Sequence, residues 1–171
     1  GYAATTLQQI CARARVAPRH FYEHFESREA ILVAILEALS DEVVARASRC
    51  EPAPSENPLG DLQRRLAQVL AFYGEHPLLT RIACIEVVGV SDTVEQRRRE
   101  KSARFRRLIL DDLGALARRR KIPARDYTLT AIALIGALDE LLSEWVLRPE
   151  SIDFDAIVAE SSRLLNAAVA R

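Results

Sequence analysis

The chain has 171 residues, 49% of them hydrophobic, and its 24 basic and 24 acidic side chains leave a formal net charge of zero. This composition allows a sizeable core in one compact unit or in a small domain joined to a larger one. The zero net charge argues against a uniformly basic chain, so any nucleic-acid site must be local. The three cysteines, Cys11, Cys50 and Cys84, are widely spaced, and the sequence has no signal-like segment and no 18-residue apolar stretch. These features indicate a cytoplasmic protein with reduced thiols.

The composition predicts an all-α protein, because glycine is scarce while alanine, leucine, arginine and glutamate are plentiful. The chain opens at Gly1-Tyr2 and contains no methionine. We therefore expect the natural protein to begin earlier, with most of a first helix preceding Gly1.

The first predicted helix runs from about Thr6 to Ala14. Thr5 or Thr6 caps it, because each is followed three residues later by a glutamine, which is the capping-box pattern. A second short helix begins near Pro18, since proline is favoured at the first helical position. That helix carries Phe21, Tyr22 and Phe25.

The rest of the chain is predicted as helices separated by short breaks. Ser27 caps a third helix whose apolar stripe continues to Val43, and the proline-rich segment 51–58 indicates a loop. The remaining helices are predicted over about 59–74, 78–90, 92–121, 124–147 and 154–170.

The first two helices form a helix-turn-helix on the evidence of their length and spacing. Helices this short are marginal alone and persist only when packed crosswise. Cys11 is small enough for the crossing point, and Val16 is expected to be an apolar plug after the turn. The second helix of such a motif enters the major groove. Up to residue 28 the segment is weakly basic, with four arginines against two glutamates.

A family resemblance is visible in three stretches of the chain: residues 1–10 (GYAATTLQQI), 14–17 (ARVA) and 21–29 (FYEHFESRE). This part of the chain is similar to the N-terminal domain of the TetR/AcrR family of transcriptional repressors. The resemblance implies an all-α fold, with a helix-turn-helix DNA-binding domain over 1–47. A helical ligand-binding and dimerisation domain is expected over 48–171.

Two residues depart from the family pattern. Arg15 stands where the family usually has glycine, so a positive φ at the turn would cost roughly 1 kcal/mol. Contact with a phosphate could offset that cost. Ala17 replaces the small polar residue that opens the recognition helix, so one cap is lost.

The resemblance and hydrogen-bond chemistry together assign the DNA contacts. Tyr22 and His24 match the phosphate-contacting pair of the family, and the arginine at position 28 stands where a basic residue meets the DNA backbone. Arg19 is the preferred base reader, because its planar fork suits guanine O6 and N7. The expected DNA-contacting residues are Thr5, Thr6, Ala17, Arg19, His20, Tyr22, His24 and Arg28.

Other interpretations of the same residues stay open at the level of sequence. Tyr22 could be a core aromatic with its hydroxyl outward. His20 and His24, four residues apart, could bind a metal, although no third ligand follows at a suitable spacing. Glu23 could accept a hydrogen bond from a cytosine amine or point to solvent.

In the family the later helices enclose a ligand pocket, and the last two pair with those of a second copy. Small residues near Gly136 and an apolar stripe on the last helix (Phe154, Ile157, Val158, Leu164, Leu165, Val169) fit a homodimer; closure of a monomer core is the alternative. Glu86 interrupts an apolar run, so either an arginine of a later helix or a ligand must pair with it. The candidate pocket residues, each of which could equally be core, are Phe72, Tyr73, Ile85, Glu86, Phe105, Ile109, Leu138 and Trp145.

The arginine-rich segment from Arg97 to Arg107, which includes Lys101, is expected to be a solvated helix face instead of a second nucleic-acid site. No Gly-rich phosphate loop or nucleophile–base pair indicates an enzyme, and we expect no cofactor. The predicted function is a repressor that leaves double-stranded operator DNA when a small apolar or amphipathic effector binds. The alternative is a helix-turn-helix protein controlled by a protein partner or by no ligand.

Overall fold

The computed structural model describes residues 1–49 and 57–170, and within them the protein is helical without strands. The all-α prediction is therefore confirmed. A 3₁₀ turn over Tyr2–Ala4 comes first. The α-helices are α1 (Leu7–Ala14), α2 (Pro18–Tyr22), α3 (Arg28–Arg49), α4 (Pro58–Glu75), α5 (Pro77–Arg81), α6 (Asp92–Arg118), α7 (Thr128–Leu147) and α8 (Phe154–Val169).

Helix α3 connects the two ends of the molecule. Its hydroxyl cap is Ser27, whose Oγ accepts a hydrogen bond from the Ala30 amide at 3.0 Å. The buried residues recur at helical spacing, so one face of α3 packs against α4 and α6. The expected domain division at residue 47 falls inside this helix, near its C-terminal end. The buried apolar residues of that face are Leu32, Leu36, Leu39, Val43 and Ala47.

A second hydrophobic cluster lies where α4, α6, α7 and α8 meet. Leu113 of α6 is completely buried there, beside Tyr127 and Leu165. The apolar stripe expected at a dimer interface on α8 is directed largely into this protomer, because Ile157, Leu165 and Val169 are buried. For these three residues the prediction was wrong, since the inward face of α8 closes the core, while Phe154, Val158 and Leu164 are half-buried.

The single helix predicted over 78–90 is divided in the structure. Helix α5 ends at Arg81, and a π-helical turn over Ile82–Glu86 follows it. Gly89 then adopts φ 72°, in the left-handed region that glycine tolerates without strain. A π-helical turn inserts an extra residue, so it changes which side chains face the core beyond Arg81.

The segment between α6 and α7 is not helical, although a helix was predicted from residue 124. Arg120 has φ 57°, which ends α6, and Ile122 is buried just beyond it. The Tyr127 hydroxyl donates to the Pro123 carbonyl at 2.7 Å, and the Asp126 carboxylate accepts from the Thr128 amide at 2.8 Å. These contacts fix a loop that delays the start of α7.

Most of the loop predicted over 51–58 lies outside the described residues, as does Cys50. At its end, the Asn57 side chain accepts from the Gly60 amide at 3.1 Å, and Pro58 is the first residue of α4. Within residues 1–49 and 57–170, no helix is long and apolar enough to cross a membrane.

The arginine-rich helix α6 forms several ion pairs along its exposed side. Glu95 accepts from both Arg98 and Arg99, and these hydrogen bonds lower the pKa of Glu95 to about 2. Paired arginines fit the prediction of a solvated face. Lys101 is the exception, because only 4% of it is exposed, and the prediction for this residue was wrong.

Candidate DNA-binding surface and ligand cavity

The capping box predicted at the first helix is present. The Thr6 hydroxyl accepts from the Gln9 amide at 3.2 Å, and the Gln9 side chain accepts from the Thr6 amide at 2.7 Å. Thr5 lies outside this pair and donates its hydroxyl to the Gly1 carbonyl at 2.8 Å. Thr6 is exposed at the N-terminus of α1, where the helix amides outside this capping box could bind an anion.

The turn between α1 and α2 has the left-handed residue that the family pattern implies. Arg15 adopts φ 56° and ψ 40°, so a non-glycine residue occupies the strained position. Cys11 is buried where the helices cross, as predicted. Val16 is 42% exposed, so its prediction as an apolar plug was wrong; Phe21 of α2 is the side chain buried there.

Helix α2 shows a buried side and an exposed side. Ala17 caps it without a side-chain hydrogen bond, and Pro18 is its first residue, as the sequence indicated. Phe21 is buried and contacts the ring of Phe25 at a centroid distance of 5.8 Å. Tyr22 is 59% exposed, so the core-aromatic interpretation is wrong. The exposed candidates on and around α2 are Ala17, Arg19, His20, Tyr22 and His24.

The exposed polar groups of α2 contact one another. The His20 Nδ1 atom lies 3.1 Å from a Glu23 carboxylate oxygen, and the Arg19 Nε atom lies 3.4 Å from His20 Nε2. Glu23 therefore orients His20. Among the residues that the structure describes, no three histidine, cysteine or acidic side chains are grouped to hold a metal ion.

Arg28 has a structural role at the start of α3. Its guanidinium donates to the backbone carbonyls of Tyr2 and Thr5 and lies 4.4 Å from the centroid of the Tyr2 ring. The residue is half-buried. Arg28 thus ties the N-terminal turn to α3.

Glu86 has its partners at the same end of the molecule. Its carboxylate accepts from the Tyr2 amide at 2.7 Å and from Arg81 Nε at 3.1 Å. The hydrogen bond from the Tyr2 amide lowers the pKa of Glu86, and Arg81 acts in the same direction. An arginine was expected to pair with Glu86, but it comes from α5 instead of a later helix, because the π-helical turn directs Glu86 away from the core.

A cavity of about 100 Å³ lies between α3, α4, α6 and α7. Val43 and Ala47 of α3 contribute to its wall. A smaller cavity of about 40 Å³ adjoins it, and both spaces are lined by Leu62, Leu66, Ile109 and Leu138.

The structure divides the predicted pocket residues into two groups. Tyr73, Phe105, Ile109 and Leu138 line the cavity. The other four do not. Phe72 contacts Arg46 and His76, Trp145 packs on Phe154, and Ile85 and Glu86 lie in the π-helical turn.

Three charged residues of the cavity wall were missed by the sequence analysis. Arg65 pairs with Asp112, and burial raises the pKa of Asp112 against the opposing effect of Arg65. Asp139 is the third. It interrupts an apolar run in α7, which is the same signal that singled out Glu86. Burial also raises the pKa of Tyr73 in this wall.

Comparison with known proteins agrees with this geometry. Residues 1–35 match the family described as bacterial regulatory proteins, tetR family. The chain is 29% identical over 166 residues to the HTH-type transcriptional regulator TtgR of Pseudomonas putida, in an alignment that covers 90% of this chain and 76% of TtgR. Residues 1–35 therefore have the sequence of a TetR-family DNA-binding region, and the chain as a whole is similar to helix-turn-helix transcriptional regulators.

The whole chain has the fold of solved transcriptional regulators. FadR of Bacillus subtilis, in complex with stearoyl-CoA, superposes with a TM-score of 0.83 at 19% identity, covering 99% of this chain and 89% of FadR. FadR of Bacillus halodurans gives 0.83 at 20% identity, covering 96% and 89%. The protein is a helix-turn-helix transcriptional regulator, and its α1 and α2 are the DNA-binding motif of the TetR family.

The left-handed conformation of Arg15 leads to a prediction about stability. We expect Arg15→Gly to be about 1 kcal/mol more stable than Arg15→Ala in urea unfolding, because glycine alone adopts a positive φ without strain. Both variants lack the arginine side chain, so their difference isolates the backbone effect. Equal stability of the two would contradict a strained turn.

Proposed function

We propose that the protein is a homodimeric repressor that binds operator DNA through α2 and releases it when a small apolar or amphipathic effector enters the cavity. The observation that carries this proposal is the continuity of α3. Arg28 at its first turn holds the DNA-binding end, while Val43 and Ala47, near the other end of the helix, line the cavity. A change in the cavity can therefore move the DNA-binding motif.

We assign the DNA contacts from exposure and chemistry. Arg19 and His20 near the start of α2 are exposed and suited to base edges, with Arg19 as the guanine reader. Tyr22 and His24, together with Thr6 and the N-terminal amides of α1, would hold phosphates. The His20–Glu23 pair keeps the imidazole in one orientation before DNA binds.

A dimer is supported by the outward faces of the last two helices. On α7, Leu129 is 79% exposed, and Ile132 and Gly136 are exposed on the same side. Among the residues that the structure describes, a Cβ atom added at Gly136 would meet nothing within 4 Å apart from the local backbone of α7 and its chain neighbours. The outward face of α8 carries small side chains, because Ala159 and Ala167 are exposed there. These faces would form a four-helix interface that places two α2 helices one duplex turn, about 34–36 Å, apart.

The cavity supports an effector that is mostly apolar. Cavities of roughly 150 Å³ lined by apolar side chains bind one aromatic ring in other proteins, and the two adjoining spaces here are of that order. Stearoyl-CoA, bound to FadR of Bacillus subtilis, is apolar over most of its acyl part. In this chain, Asp139 and the Arg65–Asp112 pair would interact with a polar end of the effector.

The switch follows from linkage between the two sites. A bound effector that favours a displaced α3 weakens operator binding, and operator DNA weakens effector binding by the same factor. The regulator would act in the cytoplasm, where its operator lies.

The first test separates base reading from backbone contact. Arg19→Ala should relax preference at one base pair in each half-site and cost about 1–3 kcal/mol at the preferred base. Tyr22→Phe should weaken binding to all sequences equally, because it removes only a phosphate hydrogen bond. Binding to a library of single base-pair operator variants measures both, with the exposed Arg163→Ala on α8 as the control. Identical sequence-blind losses from the two substitutions would contradict these roles.

The dimer is tested at Gly136. Gly136→Arg should produce a folded monomer, because the side chain has room in the protomer but not between two copies, and operator binding should fall with it. Gly136→Ala is the matched control and should remain dimeric. Light scattering after size-exclusion chromatography gives the answer; a dimeric Gly136→Arg protein would place the interface elsewhere.

The cavity is tested by filling it. N-phenyl-1-naphthylamine should bind the wild-type protein with increased fluorescence and weaken operator binding in a gel shift. Leu138→Trp should abolish both effects, since Leu138 lines both adjoining spaces. Leu147→Trp, at an exposed position of the same helix, should retain them. A bound probe that leaves operator affinity unchanged would refute the switch.

A further inference from the structure

Helices α3 and α6 are joined by three polar contacts in register. Glu29 accepts from the Ser91 hydroxyl at 2.8 Å. A Glu37 oxygen lies 3.6 Å from Arg97 Nε, and Asp41 accepts from Arg104 at 2.8 Å. Residue numbers rise together on both helices, so α3 and α6 run in the same direction along this contact.

Between the last two of these contacts lies a cavity of about 250 Å³, which we call the α3–α6 cleft. Ser40 and Lys101 line it, each on its own helix between two ion-paired residues. Ser40 is 2% exposed and Lys101 is 4% exposed. The Ser40 Oγ atom is buried and makes no hydrogen bond with any residue that the structure describes.

The charges that line the cleft are not fully paired. Arg97 contacts both Glu37 and Glu100, and Arg104 contacts Asp41. Within residues 1–49 and 57–170, the Lys101 ammonium has no carboxylate within 4 Å, and its nearest described ring, Phe105, is 6.0 Å away. A largely buried lysine without a counter-charge is costly. The row of carboxylates on α3 has a neutral serine, Ser40, where the helix lines the same cleft as Lys101.

We propose that the α3–α6 cleft binds a small oxyanion, a carboxylate or a phosphate, between the Lys101 ammonium and the Ser40 hydroxyl. An oxyanion supplies the missing negative charge and accepts hydrogen bonds from both groups. A cation is disfavoured, because the carboxylates of the cleft already contact arginines while the lysine does not.

The cleft is separate from the apolar effector cavity, with which it shares no lining residue. Its two walls belong to α3 and α6. An anion held there joins the two helices and stabilises one position of α3. The regulator would then respond to a second, polar signal in addition to the effector proposed above.

The test uses the fact that the chain has only two lysines, Lys101 and Lys121. Protein carrying ¹³Cε-lysine gives two NMR signals, which Lys121→Arg assigns. Sodium phosphate and sodium acetate are titrated separately, with sodium chloride keeping the ionic strength constant. The Lys101 signal should shift saturably with at least one anion, and the exposed Lys121 should not. The anion that shifts the Lys101 signal, phosphate or acetate, identifies the class of ligand. No saturable shift with either anion overturns the proposal.

Three variants locate the site. Lys101→Met should weaken anion binding by about tenfold or more, and Ser40→Ala by a smaller factor. Ser40→Asp supplies a carboxylate from α3, so it should raise the melting temperature without added anion and remove the response. Lys121→Met is the control. Wild-type affinity in Lys101→Met, or in Ser40→Asp if Lys101→Met does not fold, overturns the proposal. None of these measurements depends on operator DNA or on the apolar effector.

Discussion

The structure depends on the burial of one face of α3. Leu32, Leu36, Leu39 and Val43 are almost fully buried against α4 and α6, and burying a leucine side chain contributes roughly 1.5–3 kcal/mol. This face cannot rotate or slide without exposing all of these side chains together. Any displacement is therefore a movement of the whole helix, and its first turn carries the DNA-binding motif with it.

The charges of the protein are organised around the same contact. The net charge is zero, although helix α6 is rich in arginine. Its arginines pair with glutamates of α6 itself and with acidic residues of α3. Ion pairs at an exposed surface contribute little to stability. They are specific in register, however, so they favour one alignment of α3 on α6. Among the described residues, the buried Lys101 is the member of this row that pairs with no carboxylate.

Local features of the motif could be predicted from the sequence because neighbouring residues determine them. The Thr6 capping box, the start of α2 at Pro18 and the lost cap at Ala17 each involve contacts within four residues.

The residues that line the pocket were less predictable from the sequence. Trp145 and Phe72 are aromatic residues at helical spacing like Tyr73, but only the neighbouring helices decide which of them faces a cavity. Asp139 and Glu86 are both carboxylates that interrupt an apolar run, and the sequence alone did not show which of them lines the cavity.

By itself, the sequence determined the all-α class, the helix-turn-helix and the TetR-family resemblance of residues 1–35, since periodicity, caps and the residues of that motif are encoded along the chain. Only the tertiary structure decided the direction of each helix face. A π-helical turn moved Glu86 away from the core, the inward face of α8 closed the protomer, and the packing of α3 on α6 buried Lys101. The physical reason is that burial depends on which helices meet, and those contacts join residues far apart in the sequence.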